Sequence, residues 1–278
     1  MQISFSTLGC PDWTLHEVIS RAVEYGYDGI DLRGLLDTLD VTRLPPFTRD
    51  MPETARMFSD AGLMVSGISS SIGLCDLEKR QENIDEAKRT IGVAKGLGCE
   101  NIRVFGRGRP NEIGREAAAD IGRDCMHAIL ELNGARDLHW LLETHDEWIS
   151  SDHIQLLLDR VPDTAFGVLW DVGHTPRTID ETPAETVAAL GSRIGYTHFK
   201  DAVFEPDHPL AMQDGWRYVT PGTGQVPIAD ALHLLEEYGY DGWIVLEHEK
   251  RWHPELPEPE VILPAFVRWA KGVSSGST

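Results

Sequence analysis

Along this chain, short apolar runs alternate with longer stretches whose apolar residues return every three or four positions, the pattern of repeated βα units around a parallel sheet. The short runs, expected to be strands, fall at 3–8, 29–32, 64–69, 101–105, 138–143, 165–171, 195–199 and 243–247. Helical patterns lie between them, for example at 15–25, 80–97, 116–132 and 228–238, with a last one near 261–271. Eight βα pairs in roughly 250 residues is the arithmetic of a (β/α)8 TIM barrel, here as a single domain over 1–278.

Internal repetition supports the count. Glu24-Tyr25-Gly26-Tyr27-Asp28-Gly29 returns as Glu237-Tyr238-Gly239-Tyr240-Asp241-Gly242, each placing Gly where a helix end needs a left-handed residue before the chain enters a strand. Lys95-Gly96-Leu97-Gly98-Cys99 suits a third joint of this kind. The rival architecture, a doubly wound open sheet, would carry a glycine-rich phosphate turn after its first strand. That turn reads Thr7-Leu8-Gly9-Cys10-Pro11-Asp12, and Phe105-Gly106-Arg107-Gly108-Arg109-Pro110 lacks the third glycine. The Pro-rich stretches at 44–52 and 252–264 read as long βα loops, where barrels build their mouths.

Charge narrows the partners. With 45 acidic against 25 basic residues the net charge is -20, which opposes binding to nucleic acid or to an anionic membrane. The opening Met1-Gln2-Ile3-Ser4-Phe5-Ser6 has no secretory pattern, and no apolar run approaches the ~20 residues of a membrane span. Cys10, Cys75, Cys99 and Cys125 are scattered without a C-x-x-C pair, so a reducing cytoplasm is the expected location.

Four expected strands finish in a group able to bind a metal: Trp140-Leu141-Leu142-Glu143, Val168-Leu169-Trp170-Asp171, Gly195-Tyr196-Thr197-His198 and Ile244-Val245-Leu246-Glu247. Any one alone reads as a solvated strand end or a salt-bridge partner. Together they gather three carboxylates and an imidazole on the catalytic rim of a barrel, where burial is costly unless a cation pairs them. Three oxygen donors and one nitrogen suit one divalent metal, Mn2+ first, then Co2+, Mg2+ or Zn2+. Four protein ligands leave such an ion room for two substrate oxygens, as in a vicinal hydroxy-carbonyl.

Residues two apart on a strand face the same side, which places His145 near Glu143, Lys200 near His198 and Glu249 near Glu247. His174 and Lys200 read as substrate contacts, and His145 and Glu249 fit either a substrate or a surface role. Arg107, Arg109 and Arg217 are candidates for meeting a phosphate or carboxylate, although solvated arginines are commoner; Arg217 lies four residues before Pro221-Gly222-Thr223-Gly224. Trp13, Phe47, Phe105, Trp148 and Trp216 fall in expected βα loops, where aromatic residues stack on sugar faces or anchor the loop. The segment Glu249-Lys250-Arg251-Trp252-His253-Pro254 reads as a loop over the mouth or against a second subunit.

Glu143, Asp171-Val172-Gly173-His174, His198-Phe199-Lys200-Asp201, Pro221-Gly222-Thr223-Gly224 and Glu247 together resemble the sugar phosphate isomerase/epimerase family, the xylose isomerase-like barrels. The resemblance runs from Gly29-Ile30-Asp31-Leu32-Arg33 to the last helix. It implies that Glu143, Asp171, His198 and Glu247 bind one divalent metal, that Glu143 and Glu247 form an acid/base pair on opposite faces of the substrate, and that His174 holds a substrate oxygen. The endonuclease IV type in the same superfamily carries extra metal ligands, where this chain has Ser69-Ser70-Ser71, Phe105-Gly106-Arg107 and Gln213-Asp214-Gly215-Trp216.

The expected activity is therefore isomerisation or epimerisation of a sugar or keto-polyol by proton transfer through a metal-stabilised enediolate. A lyase or dehydratase acting on a keto-sugar, keto-inositol or keto-glycoside shares the first proton abstraction, with His145 or His174 protonating the leaving group. A barrel that only binds sugars would not need two opposed bases. The expected partner is a small carbohydrate, and relatives of this type form homodimers or homotetramers.

Overall fold

The computed structural model describes residues 1–274. The chain runs β1 (Gln2–Ser6), α1 (Leu15–Tyr25), β2 (Gly29–Leu32), α2 (Met51–Asp60), β3 (Met64–Gly73), α3 (Arg80–Leu97), β4 (Asn101–Phe105), α4 (Pro110–Ile113), α5 (Arg115–Leu130) and β5 (His139–Glu143). It continues through α6 (Ser151–Arg160), β6 (Phe166–Asp171), α7 (His174–Ile179), α8 (Pro183–Leu190), β7 (Ile194–Phe199), β8 (Asp201–Phe204), β9 (Trp216–Val219), α9 (Ile228–Tyr238), β10 (Trp243–Leu246) and α10 (Pro259–Ser274). Eight parallel strands close in the order β1-β10-β7-β6-β5-β4-β3-β2, so the (β/α)8 expectation holds.

Local chemistry explains the joints. A Thr14–Glu17 capping box starts α1, and Gly26 ends it in the left-handed region at φ 80°. Gly98 and Gly239 end α3 and α9 the same way, at φ 67° and 86°. Two stretches expected as loops are more ordered. Pro45–Phe47 forms a 3-10 turn and α2 starts at Met51, with Pro52 in its first turn, where a missing N–H costs nothing. The last helix starts at Pro259 and keeps Pro264 inside it; the neighbouring Leu263 carbonyl accepts from the Tyr27 hydroxyl at 2.8 Å.

Two cores result. The larger lies between strands and helices and includes Phe5, Ile30, Phe166 and Phe266. Inside the barrel, Leu141, Leu169, Tyr196, Trp243 and Val245 form a smaller one. Beside it runs a buried polar chain: Ser4 Oγ meets Ser66 Oγ at 2.6 Å, Ser66 meets the Tyr196 hydroxyl at 2.8 Å, and Tyr196 and Ser69 donate to Asp31 Oδ2 at 3.2 and 3.0 Å. Residue 67 must be glycine here, because a Cβ would lie 2.7 Å from the Tyr196 hydroxyl.

The β8–β9 hairpin, antiparallel with Asp201 opposite Val219, was not anticipated from the pattern. Its base is held by the buried Asp201 carboxylate, which accepts from the backbone N–H of Ala202, Gly222, Gly224 and Val226 at 2.8, 2.9, 2.8 and 3.3 Å. Pro221-Gly222-Thr223-Gly224 therefore wraps a carboxylate, and a Cβ at Gly224 would sit 2.1 Å from Asp201 Oδ1. No helix among the described residues is long and apolar enough to cross a membrane. Asp201→Asn turns an N–H2 toward these donors and is expected to lower stability by about 2 kcal/mol in urea unfolding; a wild-type midpoint would show that the loop does not depend on the carboxylate.

Candidate metal centre at the barrel mouth

Glu143 and Asp171 end β5 and β6, His198 is the penultimate residue of β7, and Glu247 follows β10 by one residue. Parallel strands in register bring these ends together, with Asp171 opposite His198 and Val245 opposite His198 across the next seam. One ligand atom from each of the four residues lies within 4.8 Å of the others, and all four side chains are buried.

The donors are poorly satisfied by the protein. Both Glu143 oxygens, Asp171 Oδ2 and both His198 ring nitrogens lack an aligned hydrogen bond. Their contacts are ion pairs instead: His198 Nδ1 lies 3.4 Å from Glu143 Oε1 and 3.3 Å from Glu247 Oε1. Buried polar atoms left this way are unusual, and three oxygens with one imidazole nitrogen match the donor set of a divalent cation. The residues present fit such an ion.

Two side chains offset the charge. Lys200 Nζ lies 2.9 Å from Asp171 Oδ2, 2.5 Å from Glu247 Oε2 and 2.6 Å from Glu249 Oε1. Burial opposes its ammonium charge, but Asp171, Glu247 and Glu249 raise its pKa well above the usual lysine value. Its stem crosses Gly173, where a Cβ would lie 2.2 Å away, which explains the glycine in Asp171-Val172-Gly173-His174. Arg103, inside β4, places Nη1 3.3 Å from Glu143 Oε2 and 3.3 Å from Glu247 Oε1. Burial works against ionisation of Glu143, yet the Arg103 guanidinium holds its carboxyl down at about 2. Sequence reading missed Arg103. A signal existed: Arg103 sits between Ile102 and Val104, so strand alternation turns it away from them.

The histidines differ. His174 Nδ1 donates to the Thr144 carbonyl at 3.0 Å, leaving Nε2 as an acceptor 3.4 Å from Lys200 Nζ. Burial and then Lys200 push its pKa well below the usual histidine value, so it is neutral. His145 packs edge-on against both Phe105 and His174, at 4.9 and 5.0 Å between centroids. Burial disfavours its charge, but Asp146 at 2.9 Å and Glu143 raise its pKa above the ordinary value. Neighbouring imidazoles with pKa values pushed apart are equipped as a donor and an acceptor.

Glu249 joins the cluster through Lys200 and accepts from the Tyr218 hydroxyl at 3.0 Å. Arg107 stands at the rim with its guanidinium 4.7 Å from the Phe105 ring centroid. Arg217 is not brought into the cluster: it lies on β9 and pairs with Glu205 at 2.6 Å. Arg109 is exposed and pairs with Glu78 and Glu112. Phe47 and Trp148 are buried loop anchors, and Phe105 ends a strand instead of lying in a loop. In the segment after β10, Lys250 donates to the carbonyls of Pro254 and Leu256 at 2.9 and 2.8 Å, while Trp252 is exposed.

Residues 19–271 match the model of the xylose isomerase-like TIM barrel family, and the chain belongs to that family. Inosose dehydratase from Clostridium botulinum (strain Eklund 17B / Type B) is 25% identical over 118 residues, covering 40% of this chain and 39% of that protein. The match thus spans about two fifths of that relative's length. A D-tagatose 3-epimerase-like protein superposes with a TM-score of 0.76 at 16% identity, covering 100% of both chains. The IOLI protein, solved with a binding zinc atom, superposes with a TM-score of 0.76 at 19% identity, covering 99% of each chain. These two likenesses are of fold.

Purified protein is expected to carry close to one divalent cation per chain. Replacing Asp171 by Ala should reduce metal content by an order of magnitude or more in elemental analysis while the circular dichroism spectrum is kept; unchanged metal content would remove Asp171 from the ligand set.

Proposed function

We propose that this protein is a divalent-metal-dependent isomerase or epimerase of a keto sugar or keto-polyol, with Mn2+ the favoured ion. One observation carries the reading: a single buried guanidinium nitrogen, Arg103 Nη1, lies 3.3 Å from a carboxylate oxygen of both Glu143 and Glu247, so the two proposed bases converge on one point of the mouth. A bound divalent cation supplies charge stabilisation at a substrate carbonyl and its neighbouring hydroxyl, which acidifies the adjacent C–H.

Glu143 or Glu247 takes the proton from that carbon, giving an enediolate; either the same carboxylate returns that proton, or the opposite one, carrying a proton taken from solvent, supplies it while the first releases its own to solvent. Return to the other face of the same carbon is epimerisation; return to the former carbonyl carbon is isomerisation. Neutral His174, fixed through Nδ1, presents Nε2 to a substrate hydroxyl. Lys200 stays charged among Asp171, Glu247 and Glu249 and stabilises a developing oxyanion.

A second reading, a lyase that expels water, is favoured by the sequence match to an inosose dehydratase and by His145, whose raised pKa makes it a proton donor for a departing hydroxyl. Both readings start with the same proton abstraction.

Incubation of the metal-loaded protein with ketoses and keto-inositols in heavy water is expected to place deuterium at the carbon next to the carbonyl. Glu143→Gln and Glu247→Gln should each slow exchange by about 10²-fold to 10⁴-fold. Exchange without loss of a substituent supports the isomerase or epimerase, exchange coupled to loss of water supports the lyase, and exchange undiminished in both variants would refute the assignment of the bases.

A further inference from the structure

The mouth of the barrel is divided by charge. The carboxylates of the metal centre come from β5, β6 and the end of β10, whereas the β2–β4 side brings three arginines. Arg33 follows β2, Arg103 lies within β4, and Arg107 comes two residues after β4. Arg103 is paired with carboxylates at its tips, those of Glu143 and Glu247, and also donates to the Ser70 carbonyl at 3.2 Å.

The other two are not. Arg33 is 7% exposed, and its side-chain hydrogen bonds both come from Nη1, to the Ser69 carbonyl at 3.3 Å and the Ser71 hydroxyl at 2.8 Å. Among the described residues no carboxylate lies within 4.0 Å of it, and its Nε and Nη2 have no hydrogen-bond partner. A guanidinium offers five N–H donors, so three are available here. Glu86 and Glu247 offset its charge from beyond ion-pair distance, and Glu86 already accepts from the Ser71 N–H at 2.6 Å. Burial, followed by the nearby charge of Arg103, lowers the Arg33 pKa to about 10.

Arg107 has no ion pair and no side-chain hydrogen bond among the described residues. Its guanidinium and that of Arg103 lie over the one ring of Phe105, at 4.7 and 4.3 Å from the centroid. Its backbone is left-handed at φ 51°, a conformation that a residue with a side chain adopts only under constraint. The constraint is visible. Trp148 Nε1 donates to the Arg107 carbonyl at 2.8 Å, and Gly106 is pressed so closely by Trp148 that a Cβ would lie 2.1 Å from its ring. The Arg107 stem lies over Gly73 of β3, two residues beyond Ser71.

We propose that Arg33 and Arg107, with the Ser71 hydroxyl, form a subsite for an oxyanion, a carboxylate or phosphate carried by the substrate away from its reacting carbons. The inference rests on the proton-transfer reading of the metal centre and narrows its substrates to anionic ones. Two guanidiniums without a carboxylate partner on one side of the mouth, each within the field of the other, match an oxyanion by charge and by free donors. At a net charge of -20 the protein's overall field repels anions, so retention of one requires local donors such as these.

The test is calorimetric titration of the metal-loaded protein with inorganic phosphate and, separately, with acetate. Saturable binding of at least one anion is expected, weakened fivefold or more in Arg33→Met and in Arg107→Met at unchanged metal content. Binding of phosphate alone identifies a phosphate monoester as the substrate class, and binding of acetate alone a carboxylate. No saturable binding, or weakening below fivefold in the variants, overturns the subsite, the latter because the anion then sits on the metal. Arg107 is half-buried on a loop, so Arg107→Met decides the matter if Arg33→Met does not fold. Deuterium exchange reads the chemistry separately: exchange into neutral ketoses without anion binding overturns the subsite alone, and arginine-dependent anion binding without exchange into any carbonyl compound overturns the proton-transfer reading alone.

Discussion

Three carboxylates held within a few ångströms of one another repel, and at a buried site water does little to screen them. Glu143, Asp171 and Glu247 are in that position. The scaffold tolerates the arrangement because each group stands at the end of a strand that is hydrogen-bonded on both sides in a closed ring. Relaxing the repulsion by moving one group would require breaking the ladder beneath it. Closure of the sheet is thus the constraint from which the site follows.

Neighbouring residues serve the same constraint from below and beside. Thr144 Oγ1 accepts the Asp171 N–H at 2.9 Å, and Gly173 N–H donates to Asp171 Oδ1 at 2.8 Å, so one oxygen of that carboxylate is fixed and the other faces the cluster. Tyr196 packs edge-on against His198 at 5.8 Å and is itself tied to Asp31 and Ser66. The imidazole therefore rests on a hydrogen-bonded floor whose own members are buried, and glycine at 67 is the space that floor needs.

The barrel and the four metal-binding candidates were legible because each left a one-dimensional trace. Apolar runs ended in Glu143, Asp171, His198 and Glu247, and glycines 26, 98 and 239 marked helix ends. What was not legible depended on contacts between distant segments. Arg103 reads as an isolated charge in a strand until β5 and the end of β10 bring Glu143 and Glu247 to it. Arg217 read as a candidate anion contact or a solvated arginine; its pairing with Glu205 depends on the β8–β9 hairpin, which the hydrophobic pattern had not revealed. Pro264 closed the Pro-rich stretch expected as a loop and also fell within the helix expected near 261–271; the helix carries it.

Charge balance ties the two halves of the mouth together. Glu143, Asp171, Glu247 and Glu249 bring four negative charges to one connected cluster, and Arg103 and Lys200 return two positive ones. With His198 counted as neutral, the deficit equals the charge of one divalent cation, which this donor set could hold. The neutral hydroxy-carbonyl of the proposed reaction would leave that balance undisturbed. Arg33 and Arg107 lie outside this ledger, since neither pairs with a carboxylate of the cluster. Glu86 and Glu247 offset Arg33 only from beyond ion-pair distance, and Asp146 lies in the field of Arg107, so a substrate anion is the component that would pair with these two guanidiniums directly.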